Sequence, residues 1–126
     1  MKSGLGADVQ EKIRTANGIL YGLGMSSEQV HWVIALIDHE SAGTWDENVT
    51  GDNGCAKGIA QWNNCVGNYG PKDFNGQVKQ VGEEMMTRFY FFPLKIAIGK
   101  HNAPNWDSNP RYVSKVEATT KIFYPE

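Results

Sequence analysis

A chain of 126 residues suits a single domain, and 40% hydrophobic with 21% charged residues is a globular composition rather than a disordered one. The formal charge of -2, with Lys and Arg scattered along the chain, speaks against a nucleic-acid binder, which carries its basic residues in a patch or stripe. No apolar run approaches the roughly 20 residues that cross a bilayer, so no stable membrane insertion is expected.

In chain order, Val9, Ile13, Ala16 and Leu20 recur at helical spacing and predict a first helix from about Ala7 to Tyr21, stopped by Gly22 and Gly24. Ser26 and Gln29 form a capping-box pattern that opens a second helix, running to about Ala42 with Gly43 at its C-terminal end. Val30, Trp32, Val33, Ile34, Ala35, Leu36 and Ile37 make that helix apolar almost all round, as befits the central, buried helix of a domain. Its last turn nevertheless carries Asp38, His39 and Glu40, which marks the place where the core opens to solvent.

The polar, glycine-bearing stretch 44–54 reads as a loop or a short β-hairpin, and 57–66 as a short helix. Val78, Val81, Met85, Phe89 and Phe92 predict a longer helix from Phe74 to Phe92, interrupted by Pro93. A loop follows from His101 to Asn109. Asn109 as cap and Pro110 at the first position then open a last helix with Tyr112, Val113, Val116 and Phe123 on its inner face. The sum is a mainly α fold: a single helical domain over residues 1–126, with a central buried helix and at most a small β-hairpin. Cys55 and Cys65 match no metal pattern, and free thiols are expected of them.

Several motifs are missing. His39-Glu40 is not followed by the second histidine of a zinc protease, and neither a phosphate loop nor a nucleophile elbow occurs. His31, His39 and His101 have no partner pattern and read as surface or satisfied-core residues. No metal and no cofactor are expected. What remains is the segment from Glu40 to Trp62. Glycosidic cleavage needs a carboxylic acid that stays protonated near neutral pH, and an apolar, aromatic surrounding disfavours the charged form of a glutamate. Glu40 stands at the exit of the most apolar helix, with Trp45 and Trp62 as candidate walls of a cleft. Asp52, in a glycine-flanked turn, is a candidate second carboxylate.

Glu40-Ser41-Ala42-Gly43, then Gly51-Asp52-Asn53-Gly54, then Gly58-Ile59-Ala60-Gln61-Trp62 resembles the core motif of the lysozyme superfamily, closest to goose-type lysozymes, soluble lytic transglycosylase domains and phage tail lysozymes. The segment Arg111-Tyr112-Val113-Ser114-Lys115-Val116 is similar to the one that closes the transglycosylase domain. The resemblance implies a lysozyme-like α+β domain that cleaves the glycan strands of peptidoglycan. It makes Glu40 the general acid, Asp52 a water-positioning base, and Gln61 and Tyr112 cleft residues that contact the sugar chain. Ser41 is implied to fix the local backbone. Trp62 follows the motif glutamine and has two readings, a sugar-stacking ring or a core aromatic beneath the cleft.

Hydrolysis between N-acetylmuramate and N-acetylglucosamine is the favoured reading, because of Asp52. A lytic transglycosylase, whose muramate 6-hydroxyl replaces water, is the alternative, and an inactive glycan-binding or structural module is the third. Met1 to Asp8 has no apolar segment of a secretory signal. A protein made in the cytoplasm and acting on the wall, or carried on a virion, is therefore expected, with other virion or secretion-apparatus proteins as further partners.

Overall fold

A computed structural model describes residues 4–51, 54–63, 65, 70–102 and 110–125. The elements are α1 (Ala7–Gly22), α2 (Ser27–Glu40), β1 (Thr50–Gly51), β2 (Ala56–Lys57), β3 (Trp62–Asn63), α3 (Phe74–Phe91), α4 (Leu94–Asn102) and α5 (Pro110–Phe123). The fold is mainly helical, and the strands form one small antiparallel sheet in the order β1-β2-β3.

Helix α2 begins as its sequence dictates. The Ser26 hydroxyl accepts from the Gln29 amide at 3.2 Å and the Gln29 side chain accepts from the Ser26 amide at 3.0 Å, which satisfies two N-terminal donors at once. Val30 and the run from Val33 to Ile37 are fully buried. A helix that is apolar on every side must be covered on every side, and α2 is packed by α1, α4 and, most extensively, α5. α1 contributes Ile13, Ala16 and Leu20 to the same core, α3 contributes Val78, Val81 and Met85, and α5 contributes Val113, Val116 and Phe123. Among the described residues no helix is long and apolar enough to cross a membrane.

Three expectations are corrected. The expected helix over 57–66 is not formed: residues 57–63, with Ala56, supply β2, a turn and β3. Gly58 at φ +84° and Gln61 at φ +53° take left-handed conformations that a right-handed helix excludes. Beyond Pro93 the chain resumes as α4, so His101 lies in a helix and not in a loop. Proline lacks an amide but keeps its carbonyl, and that of Pro93 accepts from the Ala97 amide at 2.9 Å to start the new helix. Finally, Cys55 and Cys65 are joined by a disulfide, with Cα atoms 5.1 Å apart. Pairing of Ala56 with Asn63 brings the two cysteines together at the end of the β2–β3 hairpin, a register the spacing alone does not reveal. Pro110 opens α5 as anticipated; its expected cap, Asn109, lies outside the described residues.

Candidate functional site

Glu40 is the last residue of α2, half-buried, at the open end of the core helix. The chain leaves it through a tight turn. The Gly43 amide donates to the Asp38 carbonyl at 2.8 Å and the Ala42 amide to that of His39 at 3.2 Å, the paired bonds of a Schellman ending. The left-handed residue that this ending demands is Ala42, at φ +52°, with Gly43 following at φ +76°. Buried Ser41 braces the turn, its hydroxyl accepting from the Trp45 amide at 3.1 Å, which is the backbone role anticipated for it. Trp45 is fully buried, and its indole N–H donates to Asp38 at 2.9 Å. It therefore lies beneath the site as core and does not wall a cleft. With Ala42, Trp45 and Gln61 all at positive φ, every described non-glycine residue in that conformation falls within the segment singled out from the sequence.

Helix α5 reaches across to Glu40. The Tyr112 hydroxyl donates to Glu40 Oε1 at 2.6 Å, and the ring of His39 meets the Tyr112 ring edge-on at 5.3 Å. Burial, with the negative charges of Glu40 and Glu84, holds the Tyr112 phenol well above its ordinary range, so the group is a donor at any working pH.

A partly buried ionic cluster stands beside this pair. His101 Nδ1 lies 2.7 Å from Glu84 Oε2, and Arg88 Nε donates to the same oxygen at 3.1 Å. His101 Nε2 lies 2.9 Å from the carbonyl oxygen of Ala60. Both ring nitrogens face acceptors, an arrangement that favours protons on both and therefore the imidazolium form. Burial pulls the His101 pKa down, but the hydrogen bond and charge of Glu84, the charge of Glu40 and the Ala60 carbonyl outweigh it and leave the pKa raised. Burial pushes Glu84 up, and His101 and Arg88 more than reverse it, so this carboxyl is held below its usual range. His101 is thus a satisfied core histidine, as anticipated. Glu84 and Arg88 were not singled out in the sequence. Their signal is helical spacing: Gln77, Val81, Glu84 and Arg88 follow one row of α3.

The 58–62 turn hangs between these elements. Gln77, buried on α3, accepts from the Ile59 amide at 3.0 Å and donates to the carbonyls of Pro71 at 2.9 Å and Glu47 at 3.0 Å. A side chain at Gly58 would collide with the Gln77 amide, so this position requires glycine for space as well as for φ. Gln61 donates to the Gly58 carbonyl at 2.8 Å and towards that of Val49 at 3.4 Å, which commits its amide to holding the sheet together. Lys12 adds a tie from α1, donating to the Trp45 carbonyl at 3.1 Å and to Glu47 at 2.9 Å. The hydrogen bond from Lys12 holds the Glu47 carboxyl below its usual range.

Trp62 is half-buried, packs its ring against Gly70, and lines a groove of about 430 Å³ in front of the sheet. The structure therefore brings Glu40 and Tyr112 into contact and gives Gln61 and Trp62 places in the adjoining turn; Asp52 lies outside the described residues. No cluster of metal-ligating side chains occurs among the described residues. Set against family models, curated proteins and solved structures, the chain matches none of them.

Proposed function

We propose that the protein is a glycosidase that cleaves the β-1,4 bond between N-acetylmuramate and N-acetylglucosamine in peptidoglycan, with Glu40 as general acid. The observation that carries the reading is the pairing of Glu40 with Tyr112 at the open end of the buried helix. The phenol that donates to Oε1 fixes the orientation of the carboxyl, and the general-acid role assigns the transferred proton to Oε2. That proton passes to the bridge oxygen as the bond to the muramate C1 breaks, and water adds at C1. Asp52, one residue beyond β1, is assigned to steer that water and accept its proton. Gln61 acts through the turn it holds, and Trp62 offers its ring to the polymer. The likeness of the Glu40–Trp62 segment to the lysozyme motif supports the same assignment.

Transglycosylation, with Glu40 serving as both acid and base, is the second reading; among the described residues Glu40 is the carboxylate that the Tyr112 hydroxyl engages. The test is a digest of purified peptidoglycan with the products weighed by mass spectrometry. Reducing muramate ends are expected; products one water lighter, with a 1,6-anhydro ring, would replace hydrolysis by transglycosylation. Glu40→Gln is expected to lower cleavage at least ~100-fold with the fold intact, the usual loss on removing a general acid. Near-normal cleavage by that variant would remove Glu40 from its role, and no products from the unaltered protein would leave a glycan-binding module.

A further inference from the structure

The groove in front of the sheet is built and charged in a way the cleavage reaction does not require. Thr50 pairs with Lys57 and Lys57 with Trp62 across the strands, so the three side chains form one row on one face of the sheet. That row is one wall. Gly70, Pro71 and Lys72, with Gly58 and Gln77, line the rest of the groove. At Gly70 any side chain would run into the Trp62 ring, so the wall can stand this close only with glycine there. The volume of about 430 Å³ falls within the range of small-ligand sites, roughly 300–1,000 Å³.

The charges are one-sided. Glu47 lines the groove, but its carboxylate is paired with Lys12 at 2.9 Å. Lys57 and Lys72 have no ion-pair partner among the described residues. In a chain of net charge -2, the groove is thus lined by two ammonium groups without an ion-pair partner among the described residues, together with one half-buried indole ring. The turn 58–62 joins this groove to the acid: Gly58 and Trp62 line the groove, while the Ala60 carbonyl is tied to His101, whose pKa responds to Glu40.

We propose that the groove is a subsite for a carboxylate-bearing part of the wall polymer, with Lys57 and Lys72 holding the carboxylate and Trp62 carrying the face of the adjoining sugar or peptide. This rests on the glycosidase reading and adds the feature the enzyme selects for. The carboxylate has two sources: the peptide attached to muramate, or the lactyl group exposed when that peptide is removed.

The experiment is calorimetric titration of the Glu40→Gln protein, which binds without turnover. The probes are a GlcNAc–MurNAc disaccharide carrying its peptide, the same disaccharide stripped by an amidase, neutral N,N′-diacetylchitobiose and glycerol phosphate. At least one carboxylate-bearing probe is expected to bind about tenfold more tightly than diacetylchitobiose, an advantage that two solvent-facing charge contacts supply together. Adding Lys57→Gln and Lys72→Gln is expected to abolish that advantage while circular dichroism stays unchanged. Tighter binding of the peptide-bearing probe assigns the carboxylate to the peptide, and of the stripped one to the lactyl group. Equal binding of charged and neutral disaccharides, an advantage that survives the lysine changes, or a preference for glycerol phosphate overturns the subsite. The unaltered protein is run in parallel on intact peptidoglycan. Cleavage without charge preference refutes the subsite alone; absence of cleavage refutes the glycosidase reading, and the titrations still decide the subsite.

Discussion

Replacing His101 with glutamine tests the ionic cluster beside Glu40. The His101 side chain is only 6% exposed and holds two acceptors, the Glu84 carboxylate at 2.7 Å and the Ala60 carbonyl at 2.9 Å. A glutamine amide reaches one of them and carries no charge. Removing one partner of a buried ion pair costs about 3–5 kcal/mol, and the contact Glu84 keeps with Arg88 places this change near 3 kcal/mol. For a chain of this length that is a fall in Tm of roughly 10 °C. The loss must also depend on pH. The folded pKa of His101 lies above its ordinary 6.5, so its contribution is full below pH 6.5 and is lost as pH rises through the folded value. Glu84 is held below 4.5, so its contribution is present above pH 4.5 and is lost as pH falls through its folded value. The gap between wild type and His101→Gln should therefore be widest between pH 4.5 and 6.5 and should narrow on the alkaline side. Urea denaturation across that range reads it directly. A gap below about 1 kcal/mol at pH 5.5, or one that stays constant from there to pH 10, would refute the imidazolium clamp.

Gln77→Glu places a carboxylate oxygen where an amide now donates to the carbonyls of Glu47 and Pro71. A loss of about 3 kcal/mol at pH 7 is expected, with part of it recovered at pH 4 as the protonated acid regains a donor; chemical denaturation at the two pH values checks this. Ala42→Gly relieves a left-handed alanine two residues past Glu40 and should stabilise by about 0.5–1 kcal/mol, seen as a small rise in Tm. Replacing Cys55 and Cys65 together by serine opens a loop spanning ten residues in sequence separation and should lower stability by about 2–3 kcal/mol, read from the urea midpoint under non-reducing conditions.

The helical frame was legible because it is written in local chemistry. Apolar spacing marks α1, α3 and α5, the Ser26–Gln29 pair marks the start of α2, and unbroken apolarity marks α2 as the centre. A small hairpin was legible in the glycine-bearing stretch 44–54, but β2 and β3 were not, since two-residue strands leave no alternation to detect and the side chain that fixes their turn, Gln77, is supplied by α3. Glycine at position 43 pointed to the end of α2, yet the residue that takes the left-handed cap is Ala42, because paired backbone bonds hold it there. Glu40 and Tyr112 were singled out separately, and only the packing of α5 on α2 makes them partners. Glu84 escaped notice because a glutamate on a helix ordinarily faces water; its burial follows from the place of α4, whose start at Pro93 runs against the usual reading of proline as a stop.

The bond between Glu40 and Tyr112 spans 72 positions of the chain, and that between Ala60 and His101 spans 41. Contacts of such separation form late, after the loop-closure entropy between them has been overcome. A ribosome that has released α2, the sheet and α3 has produced most of the core, but Glu40 still lacks its partner, because the hydroxyl that donates to it belongs to α5 and is still to be synthesised. Under the proposed glycosidase reading, cleavage reports on the final docking of α5, and a pulse of refolding followed by both fluorescence and peptidoglycan cleavage is expected to show the second signal lagging the first.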